Sequence, residues 1–321
     1  MIAANREYLL QNSSMALNML STLHKDFDQI EDEGCIISLA LNDSTAYLRY
    51  DAAYDKALQN SQRIVDTYPD SAYKTLLAYH HKLIGRCYVF LGRYAEGAAA
   101  LTLALDTANQ NTDSGLDNIK VKSDILHDLA MCNDKAGGES SLTTHYLNRA
   151  LDLIQNTPFE GRKAICMMGL GIVEYNNQAY QAAREHYFAA ARIFEDEFDY
   201  SNLASAWNNI GLSYRDEGIL DQSETYLTKA LDLRLRQGNK IEIAIMYCHL
   251  GELYETQKED AKALAAMLAC RDHCIDALNK DLYAHVLSWL EKHATERNDQ
   301  SAAERFRAEL ATLRSLMTTT G

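Results

Sequence analysis

Proline is nearly missing from this chain, with 2 in 321 residues, and 47% of the residues are hydrophobic. Disorder is excluded by that composition, and the length suits one extended repeat domain or two compact ones with a sizeable core. Long apolar runs are missing as well. A stretch such as "KALAAMLAC" (262–270) falls far short of the ~18–20 residues a membrane helix needs, so no transmembrane segment is expected. The first residues, "MIAANREYLLQNSSMALNML", carry early charge and no apolar core ending in a small-residue cleavage site, which does not fit a secretory signal. Basic residues are in deficit, 31 Lys and Arg against 45 Asp and Glu, for a formal charge of −14 and a pI near 5.1. That balance opposes the phosphate neutralisation that drives nucleic-acid binding. The 7 cysteines are odd in number and lack close framework spacing, which fits reduced thiols in the cytoplasm better than disulfides. Signals for β structure are barely present.

What the sequence does have is self-similarity. In "SAWNNIGLSYRDEG" (205–218), Trp207, Ile210, Gly211 and Tyr214 form W-x2-I-G-x2-Y, followed by small Ser223 and then Leu227 and Ala230. About 40 residues on, Tyr247, Leu250, Gly251, Tyr254, Ala263 and Met267 take the same places. The same step backwards reaches Met167, Leu170, Gly171, Ala183, Tyr187 and Ala190, and further steps reach His127, Ala130, Thr143, Leu147 and Ala150, then His81, Ile84, Gly85, Tyr88, Gly97, Leu101 and Ala104. Ala57, Ser61, Ile64 and Pro69 belong to the first full unit, and Leu287, Leu290, Ala303 and Leu310 to the last. Small residues recur at Ala57, Gly97, Thr143, Ala183, Ser223, Ala263 and Ala303, where only a small side chain lets two helix axes approach. Glycine recurs at Gly92, Gly138 and Gly218, each expected to end a helix in the left-handed conformation.

These motifs resemble the tetratricopeptide-repeat family over nearly the whole chain. The resemblance implies an all-α, right-handed superhelical solenoid of antiparallel helix pairs forming a single domain over 1–321. A degenerate helical pair (1–37) would precede about seven units starting near 38, 78, 124, 164, 204, 244 and 284. The spacing exceeds the family's basic ~34 residues, which implies lengthened helices or linkers. The arrays of kinesin light chains, of Rap-type peptide-sensing regulators and of bacterial signalling proteins are similar. The polar segment 106–118 reads as a solvated linker or a hinge, and the unit at 124–160 is the weakest, with Met131 in the glycine place.

In that family the first helix of each pair lines a concave groove. Carried over by motif position, the groove residues are Asn42, Asp43 and Arg49; Tyr79, Lys82 and Arg86; Asp128 and Lys135; Tyr175 and Asn176; Asn208, Asn209, Arg215 and Asp216; His249, Glu252 and Glu255; and His285, Ser288 and Trp289. The early part is basic and the later part acidic, so the early part suits an anionic peptide segment; the same residues also fit a solvated helix face. Lys82 and Arg86 resemble half of a carboxylate clamp, although arginine stands where the clamp has asparagine. Asn208 and Asn209 can donate and accept together, as groove asparagines of Rap-type receptors do toward a peptide backbone. Packing within the repeat or exposure to water would equally satisfy them.

No catalytic constellation is present: the phosphate loop G-x-x-x-x-G-K-[ST], G-x-G-x-x-G and G-x-S-x-G are all missing. Glu195, Asp196 and Glu197 read as solubilising charge. "CRDHC" (270–274) with Cys248 and His249 has metal-ligand composition, but Cys270 falls in the core place of Ala104, Ala150, Ala190 and Ala230, so no metal site is expected. His81 takes the packing place of Trp207. The expectation is a non-enzymatic cytoplasmic module without cofactor that binds a peptide or extended protein segment, and neither nucleic acid nor membrane; self-association is left open. The alternative is a ligand- or peptide-sensing component of a bacterial signalling system.

Overall fold

The computed structural model describes residues 32–46, 53–111, 115–275 and 280–318. Arg49 and most of the expected pair at 1–37 lie outside them. Among the described residues the structure is all helix: α1 (Glu33–Ala46), α2 (Tyr54–Thr67), α3 (Lys74–Phe90), α4 (Tyr94–Gln110), α5 (Leu116–Lys135), α6 (Ser140–Ile154), α7 (Glu160–Asn176), α8 (Tyr180–Asp196), α9 (Tyr200–Asp216), α10 (Leu220–Gln237), α11 (Lys240–Thr256), α12 (Asp260–Ile275), α13 (Lys280–Glu296) and α14 (Gln300–Thr318). The chain divides into two compact units whose boundary falls between Gly169 and Leu170, within α7. No helix among the described residues is long and apolar enough to cross a membrane.

The long repeat is explained by helix length. From Tyr180 to Gln300 a helix begins every 20 residues, and most are 17 residues long with three-residue turns between them. First helices start about one turn ahead of the repeat starts read from the motif, at Tyr200 and Lys240 for example. Turns this short force each helix to reverse against the one before it, so the pairs are antiparallel.

A left-handed residue closes most of the described turns. Gly218 has φ of +86°, and the Ile219 N–H donates to the Tyr214 carbonyl at 2.8 Å, satisfying a carbonyl the helix end leaves open. Positive φ recurs at Gln178, Phe198, Gly238, Lys258 and Asn298, mostly without glycine. In α5 the expected residue is displaced: Gly137, not Gly138, takes φ of +70°, and Gly138 instead donates to the Asn133 carbonyl at 2.8 Å. That helix runs 20 residues, so its closing motif falls one residue earlier than repeat spacing suggests.

The small positions of the motif all lie inside. Ala57, Gly97, Thr143, Ala183, Ser223, Ala263 and Ala303 are buried. Close approach shows at Gly211, where an added Cβ would sit 2.7 Å from Leu227 Cγ and 3.2 Å from its backbone nitrogen. In the first unit Leu77, Leu101, Ile125, Leu126 and Leu147 are buried; in the second, Leu203, Ile210, Leu227, Leu253 and Leu290. Burying each such side chain is worth roughly 1.5–3 kcal/mol.

One expectation is corrected here. Segment 106–118 is mostly helix: α4 continues to Gln110, with Thr107 and Ala108 buried, and α5 begins at Leu116. Asn118 is buried as well, and Asn111 Nδ2 donates to Thr75 Oγ1 at 2.8 Å. His81 is half-buried, as Trp207 is, and its neighbour His80 is fully buried, with Nδ1 3.2 Å from Ser61 Oγ and Nε2 3.0 Å from the Ile37 carbonyl. It stands on the face that buries Ala206 and Met246 in later units.

Candidate functional site

In the second unit, one face of α9, α11 and α13, together with the last turn of α7, carries polar residues that bond from helix to helix. Tyr175 donates to Asp216 Oδ2, and Asp216 Oδ1 accepts from Arg215 Nε at 2.8 Å. Arg215 Nη1 reaches α11, donating to Glu252 Oε2 at 2.7 Å, and His285 Nε2 on α13 lies 3.6 Å from Glu252 Oε1. Trp289 Nε1 donates to Glu255 Oε2 at 2.8 Å. Burial first, then the bond to Asp216, push the Tyr175 phenol up to about 12, so it stays a donor at neutral pH.

The two asparagines play different parts. Asn208 Nδ2 donates to Asn209 Oδ1 at 3.2 Å, and Asn208 Oδ1 lies 2.8 Å from His249 Nδ1. Burial pushes the His249 imidazole down to about 4, so the ring is neutral and Nδ1–H donates to Asn208. Asn208 is thereby committed to holding α9 against α11. Asn209 instead lines a cavity of about 200 Å³ with Ile172, Tyr175, Asn176, Tyr187 and Leu212. Aliphatic and aromatic walls with two amides among them suit an apolar side chain whose adjoining backbone is hydrogen-bonded.

The first unit holds a second cavity, of about 290 Å³, lined by Lys82, Arg86, Ser123, Asp124, His127, Asp128, Met131, Arg162, Ile165 and Cys166. Here the basic residues are not bare. Lys82 Nζ donates to Asp124 Oδ2 at 3.1 Å, Arg162 pairs with the other oxygen of Asp124, and Arg86 Nε is 3.9 Å from Asp128 Oδ2. Lys82 also lies 5.1 Å from the centre of the Tyr79 ring. Burial raises the Asp128 carboxyl, but the His127 hydrogen bond and the Lys82 and Arg86 charges outweigh it and hold the group below the usual carboxylate range. Three cations therefore face two carboxylates, so the floor keeps a basic excess but its cations are individually paired.

The sequence-derived residues thus fall into separate groups. Tyr175, Asn176, Asn208, Asn209, Arg215, His249 and Glu252 come together in the second unit; Tyr79, Lys82 and Arg86 come together in the first. Asn42 and Lys135 are exposed and line neither cavity. Asp124 and Arg162 were missed because they precede or only begin the motif positions that face the groove. The 40-residue spacing was the available signal, since a longer first helix carries one more turn onto that face. Within "CRDHC", Cys270 and Cys274 are buried with Sγ atoms 4.0 Å apart, while His273 stacks on Tyr247. All seven cysteines are free.

Helix pairs of this length, with small residues at the axis contacts and left-handed closures, have a counterpart among known families. Residues 202–274 match the family model described as tetratricopeptide repeat. Over those residues the chain matches the tetratricopeptide pattern. No curated protein matches the sequence. Among solved structures, a Rap protein complexed with Competence and Sporulation Factor is similar at a TM-score of 0.60 and 13% identity, covering 96% of this chain and 99% of that one. Aspartyl phosphate phosphatase F from Bacillus subtilis is similar at 0.61 and 13% identity, covering 94% and 89%. BtubC (BKLC) from P. vanneervenii is similar at 0.58 and 17% identity, covering 69% and 88%. At these identities the likeness is one of fold. Tetratricopeptide repeats are typically protein-interaction scaffolds, and no catalytic family is indicated for this one.

Proposed function

We propose that this tetratricopeptide array is a non-enzymatic module that binds an extended peptide segment along the first-helix face of its second unit. The observation that carries this reading is the cavity between α7, α8 and α9, where Asn176 and Asn209 stand beside Ile172, Tyr187 and Leu212. An apolar side chain of the segment fills the cavity, and the two amides bond its backbone irrespective of sequence. The cytoplasm is the compartment this reading assigns, since seven free thiols suit reducing conditions. Selection of short peptides from a display library, followed by affinity measurement on wild type and Asn176→Ala/Asn209→Ala, tests it. Loss of two amide contacts weakens binding by roughly tenfold or more. Equal affinity for both proteins refutes the assignment.

A second reading, a ligand-sensing regulator, is favoured by the extent of the likeness to the Rap protein complexed with Competence and Sporulation Factor, which spans nearly the whole of both chains. It expects a selected peptide to change the radius of gyration of the protein in small-angle scattering. An unchanged radius at saturation leaves the plain interaction module.

A further inference from the structure

The acidic end of the second unit's polar face carries a cluster that the peptide reading does not use. Cys248 and Glu252 stand one turn apart on α11, and His285 faces them from α13. One ligand atom from each lies within 4.8 Å of the other two. Cys248 Sγ is 3.8 Å and His285 Nε2 3.6 Å from the same oxygen, Glu252 Oε1. Bonds of about 2.3 Å to sulfur and about 2.0–2.1 Å to nitrogen and oxygen at tetrahedral angles place such atoms roughly 3.4–3.6 Å apart. Small side-chain shifts therefore bring all three onto one ion, and His285, with 55% of its side chain exposed, is free to make them.

The surrounding charge favours a cation. Glu252 turns its other oxygen to Arg215 at 2.7 Å, and Arg215 is also held by Asp216 at 2.8 Å, so these three groups sum to one negative charge. A Cys248 thiolate adds another, and a divalent ion neutralises both. Arg215 also fixes the Glu252 carboxylate, as the outer partners of metal ligands do. The donor set of one sulfur, one imidazole nitrogen and one carboxylate oxygen selects zinc over magnesium or calcium, which prefer oxygen ligands alone.

We propose that Cys248, Glu252 and His285 form a zinc-class metal site with three protein ligands and a fourth position open to water. On binding, the Cys248 S–H bond breaks, sulfur keeps the electron pair as a thiolate ligand, and the proton passes to solvent. The Cys270 thiol packs beside that of Cys248 and Cys274 beside Cys270, both outside the three-ligand set, and His273 is stacked on Tyr247. Repeat spacing did not mark the site, because the ligands come from two units of the array and none occupies the same motif position in its neighbours.

The test is titration of the chelator-treated protein with Co²⁺ as a spectroscopic probe and with Zn²⁺ in competition. One equivalent of Co²⁺ is expected to bind, with thiolate-to-metal charge transfer in the near ultraviolet that Zn²⁺ abolishes. Cys248→Ser removes that band. Exposed His285→Gln, whose helical content is checked by circular dichroism, weakens Co²⁺ binding by about 10-fold or more, whereas Cys274→Ser leaves it intact. The site is overturned if the wild type takes up no Co²⁺ with thiolate character, if Cys248→Ser or His285→Gln binds as wild type does, or if Cys274→Ser abolishes binding.

Discussion

His249 Nδ1 lies 2.8 Å from Asn208 Oδ1, joining α11 to α9 through a half-buried imidazole whose role is set by its partner. Asn208 Nδ2 is turned to Asn209, so its oxygen faces the ring and Nδ1 must carry the proton. Replacing Asn208 by Leu leaves that half-buried donor without its acceptor. A stability loss of about 1–3 kcal/mol is expected in urea denaturation followed by circular dichroism. A variant as stable as wild type would mean that Asn208 belongs to a solvated face.

Asp124 is the counter-charge for both Lys82 and Arg162. The Lys82 and Asp124 side chains are each 11% exposed, so removing the carboxylate strands a cation in a poorly solvated place. Asp124→Ala is expected to cost about 3 kcal/mol, while the apolar pair Lys82→Met/Asp124→Leu recovers only the part due to Lys82, because Arg162 still loses its counter-charge. Urea midpoints of the two variants separate this arrangement from a surface ion pair, for which both changes would be nearly neutral.

Turn closures differ in cost from unit to unit. Gly218 has open space around a built Cβ, so Gly218→Ala is penalised by backbone conformation alone, by about 1 kcal/mol. Lys258, at φ of +61°, already bears that penalty, and Lys258→Gly is expected to stabilise by a similar amount. Asn298→Gly should change little, because asparagine tolerates this conformation. Thermal midpoints of the three variants give the ranking directly, and a destabilised Lys258→Gly would contradict it.

Acid should weaken the protein through His80. Burial pushes its imidazole down to about 4 from an ordinary 6.5, so between those values the unfolded chain binds the proton and the folded chain does not. This contribution is therefore fully present above pH 6.5 and is lost as pH falls toward 4, by up to about 3 kcal/mol. Urea denaturation from pH 7 to 4 should show a shallower decline in His80→Gln than in wild type. Identical slopes would show that His80 does not gate acid stability.

Much of the fold is legible from local rules that repeat. Ala183, Ser223, Ala263 and Ala303 are small because helix axes meet there, and equal spacing exposes the pattern without any knowledge of partners. Gly92 and Gly218 mark helix ends for the same reason, whereas Gln178, Phe198 and Lys258 adopt the same backbone without a glycine to announce it. Which groove residues bond to which was not legible. Asn208 and Asn209 are adjacent and chemically identical, yet one is held by His249 and the other lines a cavity.

Helical periodicity, the repeat and the helix-facing small residues were determined by the amino-acid sequence alone, because each depends on neighbours a turn or one repeat away. Only the tertiary structure decided that Asp124 neutralises Lys82 and Arg162, and that Cys248, Glu252 and His285 converge. The physical reason is that these contacts join different helix pairs. A longer helix and a three-residue turn set the offset between neighbouring faces, and an offset of one turn changes every charge and ligand that meets across them.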